Sequence, residues 1–257
     1  MKAKGVDLSR VLEAWTYDEA DNVRRVTTES GRKVLQVRLP LGVEQYELLG
    51  RPDGSRPENC ESWFDHFSEA ASREPWDFSL ADDDYEKIKD ECLLYYYRYL
   101  LFFQIQEYGD CARDTLRNLR VLDFVSKHTD RGRSTSLEQY RPYILRMHLM
   151  AQALDKVQNG EDVHEALDLI ESGLEQIRDL PEIEGENVFE HERQTSLKVL
   201  RQLHEQLEAM LPPDPESVLK RQLNEAVRDE NYEEAARLRD RLASDVEDGA
   251  NLTDGAG

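Results

Sequence analysis

The chain has 257 residues, of which 39% are hydrophobic, and its formal net charge is −21. This length and composition support one sizeable hydrophobic core, or a core with a small appendage. The strong negative charge disfavours general binding to nucleic acid or to an anionic membrane, because the field repels phosphate before local contacts form. It favours cationic partners instead.

The cysteines and the N-terminus indicate where the protein resides. Three cysteines, Cys60, Cys92 and Cys111, show no CxxC spacing, so a disulfide framework or a zinc ribbon is disfavoured. The N-terminus lacks an apolar signal core, and no later stretch is apolar for long enough to span a bilayer. We therefore expect a cytoplasmic protein with no membrane partner.

Residues 1–57 are predicted to form a short helix followed by a small antiparallel β-meander. Asp7 is a suitable cap for the helix, and a period of two then predicts strands at 23–28, 34–41 and 43–49. On the second strand we expect Leu35, Val37, Leu39 and Leu41 to face the core, and Gln36 and Arg38 to face water. Residues 50–57 have the Gly, Pro and Asp of a structural turn, and the alternative is an anion-binding loop that uses Arg51 and Arg56.

Residues 58–211 are predicted to form a helical body. The strongest helix spans 82–107, is apolar around most of its circumference and is expected at the centre of the fold. Gly109 and Asp110 are predicted to end it, before a helix at 112–127. Helices at 137–158 and 163–180, separated by Asn159 and Gly160, repeat the arrangement, and a helix at 188–211 closes the body. These reused hairpins are similar in architecture to a tetratricopeptide-type solenoid, but they lack its Trp, Gly and Tyr signature.

The C-terminal segment is predicted to carry a separate helical hairpin. Three prolines within 212–215 favour a stiff extended spacer, 216–245 reads as two short amphipathic helices, and the tail at 246–257 is expected to be disordered. The apolar stripes comprise Leu219, Leu223, Ala226 and Val227 on the first helix, and Tyr232, Ala235, Ala236, Leu238 and Leu242 on the second. A hairpin of this size buries too little apolar surface to be stable alone, so another surface must complete it.

This hairpin resembles the UVR motif of excinuclease subunits B and C, of some AAA+ protease regulators and of activators of the protein-arginine kinase. The motif has Leu and Met four apart, a small pair, then an aromatic residue with Glu, two alanines, Leu-Arg-Asp and an aliphatic residue. Here these places are taken by Leu219 and Leu223, Ala226 and Val227, Tyr232 and Glu233, Ala235 and Ala236, Leu238-Arg239-Asp240, and Leu242. This sequence departs from the motif at Leu223, where Met is frequent, and at Glu230, where an apolar residue is common. The resemblance implies binding to other proteins, often to another copy of the motif, without catalysis. It also implies that Arg239 and Asp240 set pairing and register.

The order of segments also resembles an uncharacterised group of bacterial proteins. These have a small N-terminal β-element, a Gly-Arg-Pro-Asp-Gly turn, a helical-repeat body and a terminal UVR motif. The turn stands here at residues 50–54. This resemblance implies no activity.

Signatures of catalysis and of metal binding are incomplete in this sequence. His164, His191 and His204 are each followed by Glu, but none has a second His four residues later, as a zinc-protease helix requires. Phosphate-binding glycine motifs and a GxSxG nucleophile elbow are absent from the sequence. Cys60 could serve as a nucleophile, although a small buried thiol beside Trp63 and Phe64 is the favoured interpretation. We predict no catalytic residue, no metal site and no cofactor.

One basic face interrupts the acidic background. Arg113, Arg117, Arg120 and Lys127 recur at helical spacing. They could form an anion-binding or docking face for an acidic or phosphorylated partner, or for nucleic acid. Alternatively, they pair with the acidic start of the neighbouring helix, at residues 82–91, which is the favoured interpretation.

The main functional hypothesis is a mainly α, non-enzymatic interaction or adaptor protein that uses the C-terminal hairpin. Its expected partner is a protein with a complementary helical hairpin, such as another UVR-motif protein, and a homodimer is the simplest case. The alternative is a nucleic-acid-associated DNA-repair or stress factor that recruits a nuclease or protease complex, although nucleic acid is not expected as a direct ligand. A hydrolase with dispersed catalytic residues is the least favoured hypothesis.

Overall fold

The computed structural model describes residues 7–183 and 187–212, together with residues 219, 223–224, 228, 231–234, 236–239 and 241. The chain divides into two compact units, Met1–Glu205 and Gln206–Gly257. The helices are α1 Ser9–Ala14, α2 Trp63–Arg73, α3 Asp82–Gln104, α4 Tyr108–His128, α5 Arg131–Glu138, α6 Arg141–Gln158, α7 Val163–Arg178 and α8 Asn187–Glu208. The strands are β1 Val23–Thr27, β2 Lys33–Leu39 and β3 Gly42–Glu47. The predicted mainly α class with a small N-terminal sheet is confirmed.

The three strands form the predicted antiparallel meander, with β2 between β1 and β3. The predicted orientation of β2 is correct for Leu35 and Val37, which are buried, and wrong towards the end of the strand. Leu39 and Leu41 are exposed because the chain turns away from the core there. Arg38 is buried instead, since its guanidinium donates to the carbonyl oxygens of Trp15 at 2.7 Å and Gly42 at 3.2 Å.

The sheet shares a hydrophobic core with α3, α4 and α6. The shared core contains Val23, Leu35, Val37 and Leu48 from the sheet region, Tyr99 and Phe102 from α3, Cys111 from α4, and Met147 and Ala151 from α6. Further along the chain, α4 packs against both α3 and α6, and α6 packs against α7. The central position predicted for the 82–107 helix is therefore shared with α4.

Two predicted boundaries within the body need correction. The break after α3 falls at residues 105–107, where Gln106 takes a positive φ of 61°, and Gly109 lies inside the first turn of α4. The single helix predicted at 137–158 is two helices, because α5 ends at Glu138 and Pro142 stands in the first turn of α6. The break at Asn159 and Gly160 is confirmed, with Gly160 at φ 76°.

The last helix of the body is anchored through both apolar and polar contacts. In α8, Phe189, Leu197 and Leu200 are buried, and the Ser196 hydroxyl donates to the carbonyl oxygen of Pro142 at 3.0 Å. The likeness to a tetratricopeptide-type solenoid and the predicted domain boundaries stay predictions. Among the described residues, no helix combines the length and apolarity needed to cross a bilayer.

Candidate protein-interaction site

The C-terminal unit contains a small apolar cluster. Leu219 and Leu238 are each 6% exposed and form this cluster, and Leu223 packs against it. Leu219 and Leu223 belong to the first predicted helix and Leu238 to the second. The two halves of the predicted hairpin are therefore in contact through their apolar stripes.

The second half of the hairpin begins at a capping residue. Residues 232–234 and 236–239 are helical, and the side-chain oxygen of Asn231 accepts a hydrogen bond from the Glu234 backbone N–H at 3.3 Å. Asn is among the residues preferred at this position, because its side chain satisfies an N–H that the helix itself leaves unpaired.

The side chains near this cap are exposed to solvent. Tyr232 is 69% exposed, although it belongs to the predicted apolar stripe. One turn further on, Arg237 pairs with Glu233 at 3.1 Å and with Glu234 at 3.7 Å, so these three side chains form a charged row. Such exposed ion pairs contribute little free energy. Among the described residues of the hairpin, Tyr232 is the large apolar side chain that solvent reaches.

Several predicted partner-binding residues lie outside the described part of the chain. These are Ala226, Val227, Ala235, Asp240 and Leu242. Of the others, Leu219, Leu223 and Leu238 come together, whereas Tyr232, Ala236 and Arg239 are exposed. Binding of a partner by this set stays a prediction.

The predicted basic face is divided between internal bonds and solvent. Arg113 bonds to Asp110 and Asp114 and donates to the Leu48 carbonyl oxygen at 3.0 Å. Arg117 pairs with the buried carboxylate of Glu91, and its guanidinium lies 4.0 Å from the ring centroid of Tyr95. Arg120 and Lys127 are exposed.

Glu91 connects this face to α2 and to the loop after β3. Its carboxylate is fully buried and accepts the backbone N–H groups of Trp63 at 2.8 Å and Phe64 at 3.2 Å. These N–H groups are the unpaired donors at the start of α2, where negative charge is favourable. Arg51 Nε lies 3.5 Å from the same carboxylate, and Arg56 is exposed. The loop thus uses Arg51 for an internal contact.

A buried ion pair joins α3, α4 and the same loop. The Arg98 guanidinium binds both carboxylate oxygens of Asp114, at 2.6 and 2.9 Å, and donates to the carbonyl oxygens of Glu47 and Gly50. Sequence analysis did not identify this pair. Its one signal was Arg98 itself, which is the single charge in the apolar run 92–103.

The cysteines and histidines do not assemble a metal cluster among the described residues. Burial raises the pKa of the Cys92 thiol to about 11, and it raises the pKa of Cys111 further. Cys60 was expected to be buried, but it is only half-buried, and its sulfur lies 4.0 Å from His66 Nδ1. His164 and His204 contact Asp162 and Glu171.

Comparison with known proteins identifies one family model in this chain. Residues 217–244 match the model described as the UvrB/uvrC motif, which confirms the predicted motif. No curated protein and no solved structure matches the chain. The motif occurs in proteins that interact with other proteins or with DNA, and it fits an interaction role here.

Proposed function

We propose that this protein, which carries a UvrB/uvrC motif at residues 217–244, is a non-enzymatic adaptor that binds another protein through its C-terminal hairpin. The main support for this proposal is the difference in exposure between apolar side chains within the motif. Leu219 and Leu238 are buried together, whereas Tyr232 projects an aromatic ring into solvent. The three free thiols are consistent with a cytoplasmic location.

Tyr232 supplies what a helical interface needs at its centre. A tyrosine brings a large apolar area and a hydroxyl, and it loses little conformational entropy on binding because it has only two side-chain torsions. Such residues contribute a large share of binding free energy at protein interfaces. The cap at Asn231 holds the turn of helix on which Tyr232 lies.

The proposed partner is a protein that presents a complementary helical hairpin. Another UVR-motif protein fits this description, and a second copy of the chain would form a four-helix bundle with twofold symmetry. Small residues such as Ala236 allow close approach of two helix backbones. Arg239 and Asp240 would then contribute to register more than to affinity.

The test compares substitutions at Tyr232 in the full-length chain. We expect Tyr232→Glu to weaken self-association or partner binding at least about tenfold, because it places a charge in an apolar interface. Sedimentation analysis measures self-association, and affinity capture with mass spectrometry identifies and quantifies a heterologous partner. Tyr232→Phe keeps the ring and should retain at least about half of the binding.

A matched control separates the interface from a general effect of charge. Asn224 is exposed on the first half of the hairpin and is not part of the predicted apolar stripe, so Asn224→Glu adds the same charge outside that stripe. The proposal predicts that this variant binds like the parent. Equal partner recovery and equal mass for the parent and Tyr232→Glu would contradict it.

We do not propose direct nucleic-acid binding as a second function. Arg113 and Arg117, two of the four residues predicted for such a face, hold Asp110, Asp114 and Glu91 in the fold. An adaptor could still recruit a repair or proteolysis complex, because the hairpin would bind a protein of that complex.

A further inference from the structure

A cleft lies between the helices of the body, away in sequence from the hairpin. Its volume is about 590 Å³, which is within the range of about 300–1,000 Å³ typical of small-molecule sites. Its lining is mainly apolar and includes four tyrosines, Tyr96, Tyr99, Tyr140 and Tyr143. Leu93 and Tyr140, which are 47% and 46% exposed, connect the cleft with solvent. A small molecule can therefore enter it.

The charges around the cleft compensate each other. Among the described residues, Lys89 is the base and Glu192 the acid that line it. The Lys89 ammonium is held at 2.7 Å by a carboxylate of its own helix, and Arg117, which contacts the lining, is paired with Glu91. Arg146 lies beside Glu192. This balance favours a neutral ligand, because a charged one would lose its hydration without gaining an opposite charge.

Several polar groups of the lining are already bonded within the protein. The Asn118 amide donates to the carbonyl oxygen of Cys92 at 3.1 Å and accepts from a guanidinium of its own helix at 3.0 Å. The Ser136 hydroxyl is bonded to the Tyr85 hydroxyl and donates to the carbonyl oxygen of Arg133 at 3.1 Å. A ligand could use these groups only by breaking a bond in the protein.

The carboxylate of Glu192 is different. Its Oε2 is buried and accepts no hydrogen bond from the described residues, because Arg146 Nη2, at 3.9 Å, is beyond hydrogen-bonding distance. Nη1 of Arg146 is also buried, and it has no acceptor in the described part of the chain. A buried acceptor without a donor is unfavourable. An N–H or O–H group of a ligand in the cleft would remove this deficit.

The tyrosines are suited to an aromatic ligand. The rings of Tyr96 on α3 and Tyr143 on α6 are 6.0 Å apart between centroids, and Tyr96 makes an edge-to-face contact with Tyr99 at 5.5 Å. These contacts hold the rings in place, so they are ready to stack on a planar molecule or to meet its edge. Burial raises the pKa of both Tyr99 and Tyr143, so their hydroxyls remain uncharged at neutral pH.

We propose that this cleft binds a neutral aromatic compound with an N–H or O–H group, with its rings against the tyrosines and with that group donating a hydrogen bond to Glu192. Indole and phenol derivatives have this chemistry. The site shares no residue with the C-terminal hairpin. The adaptor therefore has a small-molecule site in addition to its proposed protein-binding site.

The test uses two fluorescent probes that differ by one methyl group. Carbazole is neutral and planar and has an N–H group, whereas N-methylcarbazole has no donor. Each probe, at about 1 µM, is titrated with the full-length protein and followed by its fluorescence. We expect carbazole to bind saturably, with a dissociation constant at least about tenfold lower than that of N-methylcarbazole, because only carbazole can donate to Glu192.

Two variants separate the hydrogen bond from the aromatic wall. Glu192→Ala removes the acceptor, so carbazole should bind it as weakly as N-methylcarbazole does, whose own affinity should stay within about twofold of the parent. Tyr140→Ala removes part of the wall and should weaken both probes at least about fivefold. Circular dichroism checks that the variants are folded. The probe pair tests the proposal on the parent even where Glu192→Ala does not fold.

Matched controls make the same changes outside the cleft. Glu190 is exposed on the same helix as Glu192, and Tyr17 is 38% exposed near the N-terminus. Glu190→Ala and Tyr17→Ala should leave the binding of both probes within about twofold of the parent.

Other outcomes overturn the proposal. Equal binding of the two probes by the parent would show that Glu192 takes no donor from the ligand, as a buried water beside Arg146 would explain. Carbazole binding that persists in both Glu192→Ala and Tyr140→Ala would place the probe outside the cleft. Absence of saturable binding at about 100 µM protein would exclude this class of ligand. Tighter binding of tryptamine or of indoleacetate than of carbazole would assign the cleft to a charged ligand.

The hairpin is intact in every variant of this test. Failure here therefore does not affect the test at Tyr232.

Discussion

Arg98 shows how a single charged residue can organise this fold. Its side chain is 1% exposed, and the hydrogen bonds of its guanidinium go to Asp114 and to the backbone carbonyl oxygens of Glu47 and Gly50. Removal of one partner from a buried ion pair leaves the other charge without compensation. The carbonyl oxygens of Glu47, at the end of β3, and of Gly50 in the following loop would lose their donor as well.

We therefore expect Arg98→Ala to lower the free energy of unfolding by about 3–5 kcal/mol. Arg73 provides the control, because it pairs with Glu69 on the surface, and Arg73→Ala should change stability by less than about 1 kcal/mol. Urea unfolding measures both. Additive effects of Arg98→Ala and Asp114→Ala in the double variant would show that the two side chains are not coupled.

His148 should give the stability a specific pH dependence. Burial lowers its pKa from the ordinary value of 6.5, although Nδ1 lies 3.1 Å from the carbonyl oxygen of Ala112. As the pH falls, His148 therefore binds a proton at a higher pH in the unfolded chain than in the folded chain. The contribution of His148 is present above pH 6.5 and is lost as the pH falls from there to the lowered pKa of the folded state.

The measurement compares the parent with His148→Gln, which does not titrate, by urea unfolding from about pH 8 to about pH 5. The difference in unfolding free energy, parent minus variant, should be constant above about pH 7 and should decrease below about pH 6.5. Because both proteins share all other titratable groups, the difference removes the contribution of those groups to the pH dependence of stability. A difference that stays constant over the whole range would contradict the assignment.

At the scale of elements, the hydrophobic period was sufficient to predict most of the fold. The meander, the long central helix and the break at Gly160 follow from local patterns, since each depends on neighbouring residues. The break after α3 did not, because Gln106 adopts a positive φ that its residue type does not favour. The burial of Arg38 was not predicted either, since it depends on the carbonyl oxygen of Trp15, which is distant in the sequence.

The same reasoning applies to the interaction surfaces. The hairpin stripe was predicted because its apolar residues follow the helical period and match a known motif. The contacts that the tyrosines of α3 make with other helices were not, because consecutive tyrosines point in all directions and their sequence does not show which of them meet residues from another helix. Tyr96 and Tyr143, for example, are 6.0 Å apart between ring centroids.

The packing of α6 against α7 depends on one small residue. A Cβ atom at Gly173 would overlap the methyl groups of Leu149. Gly173→Ala should therefore lower the unfolding free energy by about 1–3 kcal/mol, although alanine favours the helix by about 1 kcal/mol. Thermal unfolding measures this.

Gly109→Ala is the matched comparison for Gly173→Ala. Its added methyl would lie 3.3 Å from the Asp155 carboxylate, which can move, so the change should be smaller than about 1 kcal/mol. A Gly173→Ala protein that is more stable than the parent would show that the two helices can separate at low cost.

For the whole molecule, the dominant property is its charge of −21. Such an excess destabilises the compact state by self-repulsion, and salt screens it. We expect the urea midpoint to rise as NaCl is increased from about 10 to about 150 mM, since the Debye length falls from about 30 to about 8 Å. At pH 4.7, the isoelectric point of the sequence, the rise should vanish. A midpoint that falls with salt at neutral pH would indicate that favourable ion pairs outweigh the repulsion.

The contacts of Arg98 with main-chain oxygens also bear on how this protein can evolve. A carbonyl group is present whatever amino acid occupies the position, so replacement of the side chain at Glu47 would leave the acceptor in place. For this contact alone, homologous chains can therefore change the residue there and preserve the geometry of the loop, whereas they would lose the ion pair of the Glu47 carboxylate with Arg32 at 2.8 Å. Arg98 and Asp114 lack this freedom, and a lineage that lost one would be under selection to replace the other.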